Sequence, residues 1–220
     1  MIQPAAFTPL DLRAWPRGET FCYFARMAPT GYSLTVDVDV TRLRKTLRAA
    51  GLKFYPAYLW LTTRALNEQP EFKLAEVEGQ LGYYQSLTPF YAIFHPESKT
   101  FSMLFTEFDD CFPDFYLACL ADQARFGGRT GFLARTDRLP PPNAYTVSCL
   151  PWVSFRHFSV QSYGDKPYYF PSLEAGKFFE NERKTLMPLS ITCHHAADGW
   201  HIARFLERWQ AEADAFEQYL

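Results

Sequence analysis

LMPLSITCHHAADGWHIARFLERW, residues 186–209, carries the chain from one periodicity to another. Met187, Leu189, Ile191 and Cys193 alternate with Pro188, Ser190, Thr192 and His194. That is the period of two that a strand imposes, apolar on one face and polar on the other. From Trp200 onward the spacing changes, and Ile202, Phe205, Leu206, Trp209, Ala213 and Phe216 fall on one stripe of a closing amphipathic helix. Gly199 permits the tight turn between the two. His194, His195, Asp198 and His201 cluster at this junction. An imidazole titrates near neutral pH and is the side chain best suited to take a proton from a hydroxyl, although a His–Asp pair at a helix start can also serve only as a cap. The same groups offer nitrogen and oxygen ligands for zinc, but adjacent histidines on a strand point to opposite faces, so no metal is expected.

Outward from the junction, Tyr32 to Val40 reads as a strand, and Thr41 to Ala50 as a helix ending before Gly51. Pro56 opens a mostly apolar helix that runs over Ala57 to Asn67. Residues 80–107 read as successive strands with turns near Ser86 and His95-Pro96. Phe112 to Phe126 is predicted as a helix with Leu117, Leu120, Ala121 and Ala124 on its apolar side, stopped by Gly127-Gly128. Further strands are expected at 144–149 and around 154–162. Helices alternate with strand clusters, so the fold class is α/β or α+β with a mixed sheet. The three prolines within Asp137 to Asn143 mark a loop rather than a boundary, and no repeats occur, so residues 1–220 are expected to form one domain.

The bulk properties narrow the function. Twenty-two basic and 24 acidic residues give a formal net charge of -2 with no basic stripe, which argues against nucleic acid as a partner. The amino terminus lacks the pattern of a secretory signal, and the apolar run Phe54 to Leu66 is too short for a membrane span and contains Thr62, Thr63 and Arg64. A cytoplasmic protein without membrane association is expected. Five irregularly spaced cysteines in apolar surroundings read as buried free thiols in a reducing compartment, and none forms a CxxC pair. The 18% aromatic content suits broad apolar pockets or large intersubunit contacts as well as a core.

Several blocks in order along the chain are similar to the chloramphenicol acetyltransferase family: WPRGETF (15–21), GYSLTVDVDVTRLRKTLRAAGLKFYPAYLWL (31–61), EFK (71–73), FS (101–102), SCLPWVSF (148–155) and the quoted block at 186–209. The looser His-x-x-x-Asp-Gly pattern also occurs in the acyltransferase cores of 2-oxo-acid dehydrogenase complexes and in plant acyltransferases. KFYP and SxLPWVSF point to the chloramphenicol branch. The resemblance implies a two-layer sandwich with a mixed sheet, assembled as a homotrimer with sites between subunits, and an antibiotic-resistance activity that moves an acetyl group from acetyl-CoA to a hydroxyl of a small acceptor, with chloramphenicol as the specific expectation. It assigns His194 as general base in a direct attack and Ser148 as oxyanion donor. Asp198 would pair with Arg17 to hold the loop. It further implies Trp152, Lys53 and Lys177 at the CoA site, and Tyr23, Phe24, Ala28, Thr30, Phe101, Phe158 and Glu174 around the acceptor.

Two departures from the family pattern stand out. Members typically read His-His-x-x-x-Asp-Gly, whereas here two residues separate His195 from Asp198. A gap-free match makes His194 the base and puts Cys193 in the first histidine's place; a one-residue deletion would make His195 the base. The polar side of the alternation, shared with Ser190 and Thr192, favours His194. In PSLEAGK (171–177), Glu174 stands where the family often has a threonine that helps hold a water near the intermediate. These changes keep open a different hydroxylated acceptor, or a trimer that binds a small molecule without turnover.

Overall fold

The computed structural model describes residues 6–161, 168–194 and 196–220. The chain begins with β1 (Phe7–Pro9), α1 (Gly18–Cys22), a π-helical turn (Tyr23–Met27), β2 (Gly31–Asp39), α2 (Thr41–Ala49) and α3 (Phe54–Asn67). A 3-10 turn (Pro70–Lys73) leads into β3 (Leu74–Val77), β4 (Gln80–Tyr84), β5 (Thr88–His95), β6 (Thr100–Phe105) and α4 (Phe112–Phe126). After β7 (Ala144–Leu150) come β8 (Ser172–Gly176), β9 (Phe179–Asn181), β10 (Lys184–His194), α5 (Gly199–Asp214) and a last 3-10 turn (Phe216–Tyr219).

The expected period-two segment is β10, and it lies inside the main sheet, whose order is β2-β10-β8-β7-β5-β6 with β9 also paired to β10. β7 runs parallel to both β5 and β8 while the remaining pairs are antiparallel, so the sheet is mixed. A small antiparallel sheet, β1-β4-β3, stands apart from it. Because side chains alternate, register decides what each face presents. Val36, Leu189, Ala175 and Cys149 form one row across four neighbouring strands; Thr35, Ser190, Glu174 and Ser148 form the next, on the opposite face. The apolar face packs against α3, α4 and α5 in one continuous core that contains Leu189, Ile191, Cys193, Leu173, Val147 and Tyr91. Fully burying a side chain such as Leu189 or Ile191 contributes about 1.5–3 kcal/mol. The buried indoles keep their N–H groups satisfied: Trp209 Nε1 donates to Thr62 Oγ1 at 3.1 Å and Trp60 Nε1 to the Asp109 carbonyl at 2.9 Å.

Three expectations are corrected. α4 buries Phe112, Phe115, Tyr116, Cys119 and Phe126, whereas Leu117, Ala121 and Ala124 are exposed, because the aromatic rings carry more apolar area than the small aliphatic stripe. The segment around 154–161 is not a strand: the Phe158 carbonyl is taken by the hydroxyls of Ser33 (2.9 Å) and Ser190, so the chain lies across the polar face instead of joining the sheet. All five cysteines are free, but only Cys119 and Cys193 are buried, and Cys111 is exposed at the start of α4.

Candidate active site

Asp198 ends the loop after β10 and caps α5. Its extended backbone (φ -131°, ψ -172°) aims Oδ1 at the Trp200 and His201 N–H groups, at 3.0 and 3.4 Å. Its other oxygen, Oδ2, accepts from Arg17 Nη1 at 2.7 Å, so the expected Arg17–Asp198 pair forms across the length of the chain. Gly18 allows this placement. Its N–H donates to the Trp15 carbonyl at 2.8 Å, and a Cβ there would stand 2.0 Å from the Leu12 carbonyl oxygen.

His201 extends the network inward. Nδ1 lies 2.8 Å from Asp198 Oδ1 and 3.3 Å from the Asp198 backbone nitrogen, and Nε2 lies 3.6 Å from Glu71 Oε1. The shorter contact to a carboxylate selects Nδ1 as a donor. Burial alone would depress the imidazole's pKa, but bonds to Glu71 and Asp198 outweigh it and raise the pKa above the ordinary value. Burial would likewise raise the Asp198 carboxyl, yet hydrogen bonds from His201 and Arg17 bring it down to about 2. On the other side of the loop, the Tyr32 hydroxyl donates to the Ala197 carbonyl, and burial, with the Asp198 charge, pushes that phenol up to about 12. Sequence reasoning placed His201 in the junction cluster and among possible metal ligands without giving it this bridging role, and missed Tyr32. The Asp-x-x-His spacing at 198–201, that of a capping box, and the EFK block containing Glu71 were the available signals.

His194 is the last residue of β10, its Cα opposite Gly31 of β2. Its side chain and the whole of His195 lie outside the described residues, as does residue 162 at the end of the expected strand. Thr30, next to Gly31, donates its hydroxyl to the Ala28 carbonyl at 2.6 Å. Just before it, the Tyr23 and Phe24 rings meet edge to face at 5.1 Å and remain accessible on the π-helical turn.

Ser148 is not brought to His194 within one chain. It lies on β7, two strands from β10, in register with Glu174 and through it with Ser190, four residues short of His194. At ~3.3 Å per residue and ~4.8 Å per strand, the Cα atoms of Ser148 and His194 are about 16 Å apart, farther than a serine and a histidine side chain bridge. Among the described residues the Ser148 hydroxyl makes no hydrogen bond, while its backbone carbonyl accepts from Tyr58 at 3.4 Å. Glu174 is 1% exposed; Ser172 donates to its Oε1, and Oε2 is buried without a partner. Burial pushes this carboxyl up to about 7, with the Ser172 bond opposing.

The residues expected at the CoA site share one region. Trp152, 60% exposed, packs edge to face on Phe94 at 4.6 Å, and Phe94 lines a cleft of about 660 Å³ together with Lys53, Tyr55 and Gln123. The Lys177 N–H donates to the Val153 carbonyl at 2.9 Å, which sets that lysine beside Trp152. Phe101 is paired in register with Phe94 and so belongs to this region, at the β6 edge of the sheet. Phe158 lies over β2 and β10 at the opposite edge, so one chain does not bring these two acceptor candidates together. Among the described residues no group of three or more His, Cys, Asp or Glu side chains could hold a metal ion, and no helix is long and apolar enough to cross a membrane.

Comparison with known proteins converges on one family. Residues 5–210 match the family described as chloramphenicol acetyltransferase (CAT). Chloramphenicol acetyltransferases of Clostridium perfringens and Campylobacter coli are 35% and 37% identical, covering 97% and 93% of this chain and 98% and 97% of their own. A solved chloramphenicol acetyltransferase superposes with a TM-score of 0.81 at 23% identity, covering 94% of this chain and 99% of the other. The Azotobacter vinelandii dihydrolipoamide acetyltransferase superposes at 0.66 with 19% identity, covering 100% of this chain and 94% of the other, and shares the fold.

Proposed function

The chain belongs to the chloramphenicol acetyltransferase family, and from that premise we propose that it is an acetyl-CoA-dependent O-acetyltransferase acting on chloramphenicol, with residues 1–220 as one catalytic domain and His194 as its base. The observation that carries the reading is the Arg17–Asp198 pair at the N-terminus of α5. It joins the first and last family blocks and holds the capped start of α5, four residues after His194.

In the reaction the His194 imidazole accepts the proton of the acceptor hydroxyl while its oxygen bonds to the thioester carbonyl carbon. The carbonyl electron pair moves onto oxygen, where the Ser148 hydroxyl stabilises it. Re-formation of the carbonyl breaks the carbon–sulfur bond, and the CoA thiolate takes the proton from the imidazolium. Trp152 offers a flat apolar contact, and Lys53 and Lys177 offer charge to the cofactor's phosphates. Tyr23, Phe24, Thr30 and Phe158 line the acceptor side, with Phe101 contributed from a second copy's β6 edge.

The separation of Ser148 from His194 within one chain supports a site built between subunits of a homotrimer, His194 from one and Ser148 from its neighbour. Acetyl-CoA and chloramphenicol, followed by loss of thioester absorbance and by mass of the acetylated product, test the activity, with a panel of other hydroxylated compounds in parallel. Gel filtration with light scattering tests the assembly. Failure of every acceptor in the panel to cause thioester loss would refute the activity, and a stable active monomer would refute the shared site.

A further inference from the structure

His201 stands between two carboxylates. Asp198 Oδ1 lies 2.8 Å from Nδ1, and Glu71 Oε1, on the 3-10 turn before β3, lies 3.6 Å from Nε2. A neutral imidazole carries one N–H, so either tautomer would turn a lone pair toward one of these negatively charged oxygens. Only the imidazolium offers a proton to both. The ring is buried, and the other groups that face it are Arg17, whose positive charge opposes protonation, and the Trp200 indole, edge to face at 5.1 Å. Gln69, just before the turn that carries Glu71, holds the His201 carbonyl at 3.1 Å. Arg17, Asp198, His201 and Glu71 thus form a row of alternating charge that sums to zero. Burial would raise the Glu71 carboxyl, but the bond from His201 brings it below its ordinary value.

We propose that the His201 imidazolium is a positioning residue for acyl transfer: it ties the segment that follows His194 to the Glu71 turn, and loss of its proton at alkaline pH slackens that tie and slows turnover. The inference rests on the acyl-transfer reading above. The two residues before Asp198 have little freedom of their own, because Ala196 and Ala197 are buried and the Tyr32 hydroxyl donates to the Ala197 carbonyl. Asp198 is where this segment meets the Glu71 turn, through His201, and the N-terminal segment, through Arg17. When His201 gives its proton to solvent, one ring nitrogen becomes an acceptor facing a carboxylate. That contact turns repulsive, and the row keeps a net negative charge in a partly buried place. A base displaced by about 1 Å from its productive position loses up to about a hundredfold in rate, so a small shift passed along four residues is enough. His201 itself exchanges no proton with either substrate.

The test follows kcat by thioester absorbance from pH 6 to pH 9 under saturating acetyl-CoA and chloramphenicol, for the wild type, H201N and E71Q, with circular dichroism confirming the fold at each pH. The amide of H201N donates near the Nδ1 position at every pH and carries no charge. H201N is expected to turn over about tenfold more slowly than the wild type at pH 6, with both Michaelis constants nearly unchanged. As pH climbs, the wild type should decline toward the H201N rate, so that their ratio falls from about ten toward one. The ratio cancels the titration of His194, common to both. In E71Q, where the inner carboxylate no longer favours the imidazolium, the decline should begin about one pH unit lower. A ratio that stays flat with pH gives His201 a packing role only and overturns the proposal while leaving the acyl-transfer reading intact. A decline that E71Q does not move overturns it equally. A wild type that consumes no thioester at any pH overturns both. If H201N does not fold, the displacement of the decline in E71Q decides alone.

Discussion

Replacing Asp198 separates two contributions that the structure superimposes on one side chain. The carboxylate accepts Arg17 at 2.7 Å and also caps α5 through Trp200 and His201. Its pKa of about 2 against an ordinary 3.8 would correspond to roughly 2–3 kcal/mol if the group were fully enclosed. Asp198 is 40% exposed and Arg17 23%, so solvent screening reduces the charge contribution to about 1 kcal/mol. Asparagine caps a helix as well as aspartate does, whereas alanine loses about 1 kcal/mol more. D198N is therefore expected to lose about 1 kcal/mol and D198A about 2, read from urea unfolding at pH 7 and one fixed protein concentration. The sign follows from a depressed pKa: the charge contribution is present above 3.8 and disappears as pH falls through about 2. The gap between wild type and D198N should thus close in acid, while the alanine deficit from the lost cap persists. D198N matching the wild type at pH 7, or D198A no worse than D198N, would refute this division of roles.

His194→Ala should lower turnover by about a hundred- to ten-thousand-fold with little change in either Michaelis constant, and His195→Ala should retain much more activity; the reverse order in steady-state kinetics would move the base to His195. Lys53→Ala and Lys177→Ala should raise the Michaelis constant for acetyl-CoA several-fold and leave that for the acceptor nearly unchanged, an unchanged acetyl-CoA value removing them from the site. Stability should fall as pH rises from 5 to 8. Glu174 and His201 both have raised pKa values in the fold, so what they contribute is present below their unfolded values of 4.5 and 6.5 and is lost as pH climbs through their folded ones. Urea unfolding at both pH values should show E174Q, relieved of a penalty of about 3 kcal/mol, with a much flatter dependence than the wild type.

The elements most legible in the sequence were those whose periodicity is strong and whose burial is one-sided. The alternation at 187–194 located β10 and its two faces, and the stripe from Ile202 to Phe216 located α5. β8 was not anticipated, because SLEAG places a glutamate, an alanine and a glycine in five residues that only their neighbours on both sides turn into a central strand. In α4 the apolar small residues suggested a face that Phe112, Phe115 and Tyr116 claimed for the other side. The Arg17–Asp198 contact could be reached only through the family resemblance, since no local spacing links residues so far apart. The distance between Ser148 and His194 depends on strand order, which periodicity does not encode.

Gly18 gives the network an unexpected point of failure. Position 18 has no charge to lose, yet a single methyl group there collides with the Leu12 backbone, and backbone cannot swing aside as a side-chain tip can. The collision would be relieved by displacing the turn that carries Arg17, and so would be felt at the far end of the sequence as a guanidinium that no longer reaches its carboxylate. In a saturation screen selected on activity, this residue would behave as part of the machinery while its chemistry is inert, and suppressors would be sought at Leu12 or Trp15 rather than around the histidines.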